Sequence, residues 1–555
     1  MNRLQNKVLK LIICLSLLTG SLYAQTYAWP LDSPLIITGN YGELRPNHFH
    51  AGLDFSTGGK LNQSVYATAS GYISRIKISS VGYGKSIYVT HPNGVTSVYA
   101  HLNSFVKKIA DLVVNTQYQN KSFEIDINLK PTDLIVSQKE LLGFSGNTGN
   151  STAPHLHFEL RDEKTEIPFN VLKILKVRDT IKPKLNRIAI YNLADTTMPQ
   201  VLLTLPVKLN KKNKLGLPKD TVVLKNNILG VGFNGFDLLS QQGNPNNVFS
   251  ATLILDNKLI YSHQLQNISF ADQRYVNEFS EVIEKQKYQR CFLPTLFPKE
   301  MYPSYSRKGR IILTDTLPHE VMITLSDEVN NQTVLKFYIK ANKLALYSPP
   351  KIKSDVFVNC TQDFLILRNN LQIFIPAFTL YNSTNLIFEN TIERSGKLII
   401  LPSEANLKST SIVGFEVPKK YLSVKNKLIL KSGSNTFVPI NVNDSVFYSV
   451  KNFGWFQLTV DTMKPKLKSL FRVTKTSSQK NINSIDFSIV DDDSGIGAYN
   501  LFVNDTWVLV EYDAKNNLLT YKPDSSSPTG NVKFRLEVED KVKNKSILQF
   551  ELNLK

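Results

Sequence analysis

The sequence predicts an all-β protein: an N-terminal antiparallel β-sheet module with a groove, followed by three β-sandwich (Ig-like) segments. Three observations predict it. Thr, Val, Ile, Tyr and Phe are frequent and Ala is scarce, which suits pleated, half-buried strands. Short alternating runs are punctuated by Gly, Pro, Asn and Asp. A motif pair also recurs at long range. Asp179-Thr-Ile-Lys-Pro-Lys-Leu returns as Asp461-Thr-Met-Lys-Pro-Lys-Leu, and Ile323-Thr-Leu-Ser-Asp-Glu-Val-Asn-Asn as Leu536-Glu-Val-Glu-Asp-Lys-Val-Lys-Asn.

At 555 residues the chain is too long for one core. Residues 1–24 read as a signal peptide. Arg3, Lys7 and Lys10 open it, Leu11 to Leu22 supply a short apolar stretch, and Ala24 offers a small residue for cleavage. No later stretch is long and apolar enough to span a bilayer, so the mature chain is expected to lack a transmembrane segment.

The first folded unit is read as 25–176. Within it, Val65 to Ile78 reads as a strand pair or bent strand broken at Gly71. Ser86 to His91 and Val95 to His101 alternate around Pro92-Asn93-Gly94, a hairpin in which Asn-Gly supplies positive φ angles. The stretch from about 105 to 138 looks like an inserted surface excursion, and Gly143 to Gly149 a loop before the next strand.

The two repeat copies span about 177–341, with an insertion near 270–308, and 459–555. A β-rich segment, 342–458, lies between them without a clear match to either. Little helical periodicity is visible beyond small pieces.

The formal net charge is +19, which would draw an exported protein to anionic envelope polymers, or simply reflect a lysine-rich surface. No nucleic-acid-binding motif is recognisable, and the export signal points elsewhere. Cys291 and Cys360 fall in different predicted segments and read as two buried thiols rather than a disulfide.

The chemistry is concentrated near the start, because six of the eight histidines lie between positions 48 and 157. His50 and Asp54 flank Gly52 in His-Ala-Gly-Leu-Asp. His101 sits in Tyr-Ala-His-Leu, and His155 and His157 in Pro-His-Leu-His-Phe. His155 and His157 are i and i+2 on a probable strand, so both rings face one side. Imidazole and carboxylate donors without nearby cysteine suit a zinc ion in an open, catalytic site, where three protein ligands leave a position for water. His48 is read as solvent-facing or supporting, His91 as structural, and Glu159 as either a partner of a ligand imidazole or a groove-rim residue.

Together, His50-Ala-Gly-Leu-Asp54, Tyr99-Ala-His101-Leu and Ser145-Gly-Asn-Thr-Gly149 leading to His155-Leu-His157 resemble the M23 (lysostaphin/LytM-type) family of zinc metallopeptidases, over about residues 39–170. The resemblance implies His50, Asp54 and His157 as the zinc ligands, with one Zn²⁺ per catalytic domain. It implies His101 and His155 as the unbound catalytic pair, and a metal-activated water attacking an amide. It further implies a zinc endopeptidase acting on peptidoglycan cross-links or stem peptides. Two competing expectations stand beside it. One is a non-catalytic envelope scaffold that activates other wall hydrolases; the other is an adhesin-like wall-binding protein whose β-segments bind polymer or act as spacers.

Overall fold

The structure, a computed structural model, describes residues 25–32, 35–194, 199–211, 213–239, 244–342, 355–368, 370–471, 484–523 and 527–554. The stretch read as a signal peptide, 1–24, lies outside the described residues.

The head is built on an antiparallel sheet. Its principal strands are β1 (Ile37–Gly39), β2 (Leu53–Ser56), β3 (Gly71–Ile78), β4 (Lys85–Thr90), β5 (Val95–Phe105) and β6 (His155–Asp162), in the order β1-β2-β6-β5-β4-β3. Period-two alternation explains its two faces. Along β6, Leu156, Phe158 and Leu160 enter a core shared with Leu53, Phe55, Ile87, Val89 and Tyr99. His155, His157, Glu159 and Arg161 take the opposite face. Burying each large apolar side chain contributes roughly 1.5–3 kcal/mol, so the core holds β6 in a register that fixes every polar residue on the other face.

The β4–β5 hairpin forms where the sequence predicts it, with Gly94 N–H donating to His91 O at 3.1 Å. Only Gly94 takes a left-handed φ, of 77°; Asn93 does not share it.

The expected surface excursion at 105–138 instead begins with a helix, α1 (Lys107–Asn120), which buries Ile109, Val113 and Gln117. Its inward stripe follows a helical spacing but carries one polar residue. Gln117 is buried because its amide donates to Phe123 O at 2.7 Å, so the apolar periodicity is too short to stand out in the sequence.

Beyond the head, each β-segment folds as two facing sheets. The first holds two six-stranded sheets and includes β7 (Lys184–Asn192), β8 (Ile228–Phe236), β9 (His319–Ser326) and β10 (Gln332–Ala341). The middle segment has a six- and a five-stranded sheet. The last has two four-stranded sheets and includes β11 (Lys466–Phe471), β12 (Ile485–Val490), β13 (Gly530–Asp540) and β14 (Lys545–Leu554). The sequence repeat is a structural one: β7 pairs antiparallel with β8 as β11 does with β12, and β9–β10 and β13–β14 are equivalent hairpins.

The head is not held at a distance by this tail. Tyr41, Leu44 and Phe49 lie in the same apolar core as Leu185, Val231 and Phe279 of the first sandwich. The last sandwich folds back onto the head as well. Lys85 Nζ pairs with Glu511 Oε1 at 3.2 Å, Tyr118 and Trp507 meet edge to face, and Lys515 Nζ donates to Ser151 O at 2.7 Å and to Asn147 O. Cys291 and Cys360 are both free and buried.

Candidate metal centre

The site grows out of strand register. His157 on β6 lies opposite Asp54 on β2 and opposite Ala100 on β5, so two strands bring Asp54 and His157 to one point on the sheet's polar face, and His50 enters from the loop that follows the short hairpin of Leu44–Arg45 and His48–Phe49. Gly52 permits the approach of β2 to β6 because a β-carbon there would sit 2.2 Å from the Phe158 carbonyl oxygen. The sequence suggests that this glycine serves a sharp backbone course. Its φ is not left-handed, and close packing is what requires it.

Three donor atoms converge. His50 Nε2 and His157 Nδ1 are 2.9 Å apart, His157 Nδ1 and Asp54 Oδ1 2.9 Å, and His50 Nε2 and Asp54 Oδ1 3.1 Å. Tetrahedral coordination with bonds of ~2.0–2.1 Å implies donor separations of about 3.3 Å, close to the triangle found.

The remaining ring nitrogens fix the tautomers. His50 Nδ1 lies 2.8 Å from Asn40 O, which only accepts, so that nitrogen carries the proton. His157 Nε2 lies 2.7 Å from Glu159 Oε1 and donates to it. Both neutral imidazoles therefore turn a lone pair toward the Asp54 carboxylate. Three electron-rich atoms with no proton between them fit a cation.

Without a cation the neighbouring carboxylates place a proton on His157 instead, which a metal would displace. His157 is buried, which disfavours its charge, yet Asp54 and Glu159 hold its pKa up to about 9. Burial works against Asp54 too, but His50, His155 and His157 hold it well below the usual carboxylate range. His50 is pushed down by burial. Arg45 closes the outer side: its guanidinium binds Asp54 Oδ2 and, at 2.8 Å, Glu43 Oε2, which orients the carboxylate.

The two other histidines flank the triangle. His101 Nδ1 donates to Thr148 O at 2.8 Å, and His155 Nδ1 to Ala153 O at 2.8 Å, leaving both Nε2 atoms free of the backbone. His155 Nε2 stands 3.4 Å from Asp54 Oδ1, and the His101 and His155 rings are 4.8 Å apart. His101 adopts a φ of 60°, in the left-handed region, at a cost of about 1–2 kcal/mol for a residue with a β-carbon. A register shift between β4 and β5, falling between Tyr99 and Leu102, accompanies it and re-aims its ring. Burial, followed by the charges of His157 and His155, drives the His101 pKa down to about 3, so it is a neutral imidazole.

All five predicted residues thus meet in one place. His48 is exposed, with Nδ1 near Pro46 O. His91 is buried between Ser70 O and Ser97 Oγ, away from the site. Glu159 is fully buried, which removes the groove-rim reading. Burial opposes its ionisation, but Arg161 and His157 hold its pKa at about 2, and Tyr83 OH donates to it at 2.5 Å.

Sequence reasoning missed Arg45, Tyr83, Arg161 and Asn40. An Arg or Tyr spaced irregularly from the histidine blocks carries no local signal. The cleft above the donors has a volume of about 860 Å³, and its wall includes Asn244, Phe270 and Gln273 from the first sandwich. The guanidinium of Arg161 stacks 4.6 Å from the Phe270 ring.

Comparison with known proteins places this site in context. Residues 48–118 match Peptidase family M23, a span that carries His50, Asp54 and His101 and ends before His155 and His157. Over 112 residues the chain is 34% identical to the DD-carboxypeptidase/endopeptidase Mpg of Neisseria meningitidis serogroup B (strain ATCC 13091 / M2091), covering 20% of each protein. It is 29% identical over 118 residues to an uncharacterized metalloprotease of Haemophilus influenzae, covering 21% of this chain and 19% of that protein. The match spans about a fifth of the length of these curated relatives. The catalytic domain of the antimicrobial peptidase lysostaphin from Staphylococcus simulans is 26% identical over 26% of this chain and 92% of that domain, with a TM-score of 0.20.

Proposed function

From the premise that the N-terminal module is of peptidase family M23, we propose that the protein is an exported zinc metalloendopeptidase of the cell envelope that hydrolyses peptide bonds of peptidoglycan. The observation that carries this reading is the donor triangle. His50, Asp54 and His157 present one ligand atom each, all mutually close, with lone pairs aimed inward and two further imidazoles beside them. The Neisseria relative's description as a DD-carboxypeptidase/endopeptidase supports the substrate class, and the net charge of +19 suits anionic wall polymers.

Zinc held there supplies Lewis-acid polarisation of a scissile carbonyl and an activated water. The chain's own residues do the rest. His155, fixed through Nδ1 by Ala153 O, turns Nε2 to the cleft, where it takes the proton of the attacking water and returns it to the leaving amine. His101, neutral and with its proton on Nδ1 given to Thr148 O, presents Nε2 as an acceptor and orients the water. Arg45 keeps the Asp54 carboxylate in its ligating orientation. Asn244, Phe270 and Gln273 give the cleft a wall from outside the head, which bears on the choice of substrate.

The test is to incubate the full-length protein with isolated peptidoglycan, with and without chelator, and identify released fragments by mass spectrometry. Cleavage between two amino acids of a stem or cross-link, abolished by chelator and restored by zinc, is expected. No fragment from zinc-loaded protein would overturn the proposal. Release of terminal alanine alone would replace endopeptidase with carboxypeptidase activity.

A further inference from the structure

A second group of acidic side chains lies where the head meets the first sandwich. Asp179 belongs to the linker leading into β7, Asp237 follows β8, and Asp327 follows β9. One oxygen from each lies within 4.8 Å of the others. That span is about twice a calcium–oxygen bond of ~2.4 Å. Glu328 joins them, since it and the two other aspartates are the charges that act on Asp237.

An acidic cluster alone does not make a site, but Asp237 does something unusual here. It is 1% exposed, and among the described residues neither of its carboxylate oxygens has a hydrogen-bond partner. Asp179 Oδ2 and Glu328 Oε2 are likewise buried and unpartnered. A buried carboxylate with neither hydrogen bonds nor an opposite charge costs several kcal/mol, and the groups facing Asp237 are themselves acidic.

The last sandwich provides an internal comparison. Asp461, Asp491 and Asp540 occupy the equivalent positions and also converge. The frame is the same in both copies. Asn331 Nδ2 donates to Asp327 Oδ2 at 2.7 Å and Asn544 Nδ2 to Asp540 Oδ2 at 2.6 Å. The filling differs. Asp461 accepts the amides of Met463 and Ser494, and Asp491 those of Asp493 and Gly495. Asp179 accepts Ile181 N as Asp461 accepts Met463 N, but among the described residues the amides that satisfy Asp491 have no counterpart at Asp237.

We propose that Asp179, Asp237 and Asp327, with Glu328 beside them, bind a calcium ion that fastens the linker after the head to the first sandwich. All-carboxylate oxygen donors favour a hard cation over zinc, and a cluster without ideal octahedral geometry favours calcium over magnesium. The site is also connected to the metal centre. Asp237 exchanges backbone hydrogen bonds with Asn246, Asn246 Oδ1 accepts from Asn40 N, and Asn40 O holds His50. An ion at Asp237 therefore stiffens the wall behind the zinc ligand.

The test uses the full-length, zinc-loaded protein stripped of calcium. Equilibrium dialysis with radioactive calcium should show about one ion bound at millimolar calcium, and the melting temperature should rise by roughly 5 °C. Asp237→Asn should lose both effects, because it removes a donor carboxylate from the centre of the cluster. If Asp237→Asn does not fold, Glu328→Gln takes its place and should weaken calcium binding about tenfold or more. No bound calcium and no thermal shift in the parent would overturn the proposal. So would a shift retained in Asp237→Asn, an unchanged affinity in Glu328→Gln, or an equal effect of magnesium.

Discussion

His50 Nε2 and His157 Nδ1 face each other across 2.9 Å, and in the neutral imidazoles neither nitrogen carries a proton. The outer nitrogens are committed to Asn40 O and Glu159, so the inner pair meets the Asp54 carboxylate with nothing between them but the space a cation would fill. Without metal, a proton on His157 relieves the repulsion, which is why that ring's pKa rises to about 9.

Zinc uptake should therefore release a proton. At pH 7 the metal-free His157 is protonated, because its pKa lies above the solution pH, and a ligating imidazole must be neutral. Calorimetric titration in buffers of different ionisation enthalpy is expected to report about one proton released per zinc. A heat independent of the buffer would mean that metal-free His157 is already neutral and would refute its raised pKa.

Ligand and catalytic roles separate by mutation. Asp54→Ala removes a donor and leaves Arg45 paired with Glu43 alone, so zinc content should fall together with activity. His155→Ala should retain zinc while turnover drops by about 10²–10⁴-fold. Equal metal loss in both variants would contradict the division of labour.

Glu159 acts on the metal through His157. Glu159→Gln weakens the contact that fixes the His157 tautomer and leaves Arg161 short of a counter-charge. Zinc affinity is expected to fall by about 10–100-fold, measured by competition with a chromogenic chelator. An unchanged affinity would mean that the contact is only structural.

A distant histidine should set part of the acid sensitivity. His263 is fully buried, and burial lowers its pKa to about 3. The unfolded chain binds a proton near pH 6.5 that the native state refuses, so stability is constant above that pH and declines as the pH falls below it. The slope is at most about 1.4 kcal/mol per pH unit. Denaturant titrations between pH 7 and pH 4 should show a shallower decline in His263→Leu than in the parent; identical slopes would remove His263 as the cause.

The parts of this molecule that could be read from its sequence are those encoded in short blocks. His50 with Asp54, and His155 with His157, sit two to four residues apart, and their chemistry is visible at that range. The repeat around Asp179 and Asp461 likewise announces two equivalent sandwiches. What stayed hidden depends on pairing across the chain. Arg45 reaches Asp54 from a separate hairpin, Tyr83 meets Glu159 from 76 residues away, and Phe270 joins the cleft from another segment. The helix α1 escaped because its inward face includes Gln117. Gly52 was visible, but its reason, the nearness of the Phe158 carbonyl, belongs to β6.

The most direct test of the donor triangle is zinc K-edge X-ray absorption, with elemental analysis, on the purified full-length protein. One zinc per chain is expected, bound by nitrogen and oxygen at about 2.0–2.2 Å with imidazole scattering and no sulfur, and lost in Asp54→Ala. A protein that takes up no zinc, or one whose zinc is sulfur-bound or survives in Asp54→Ala, would contradict the triangle.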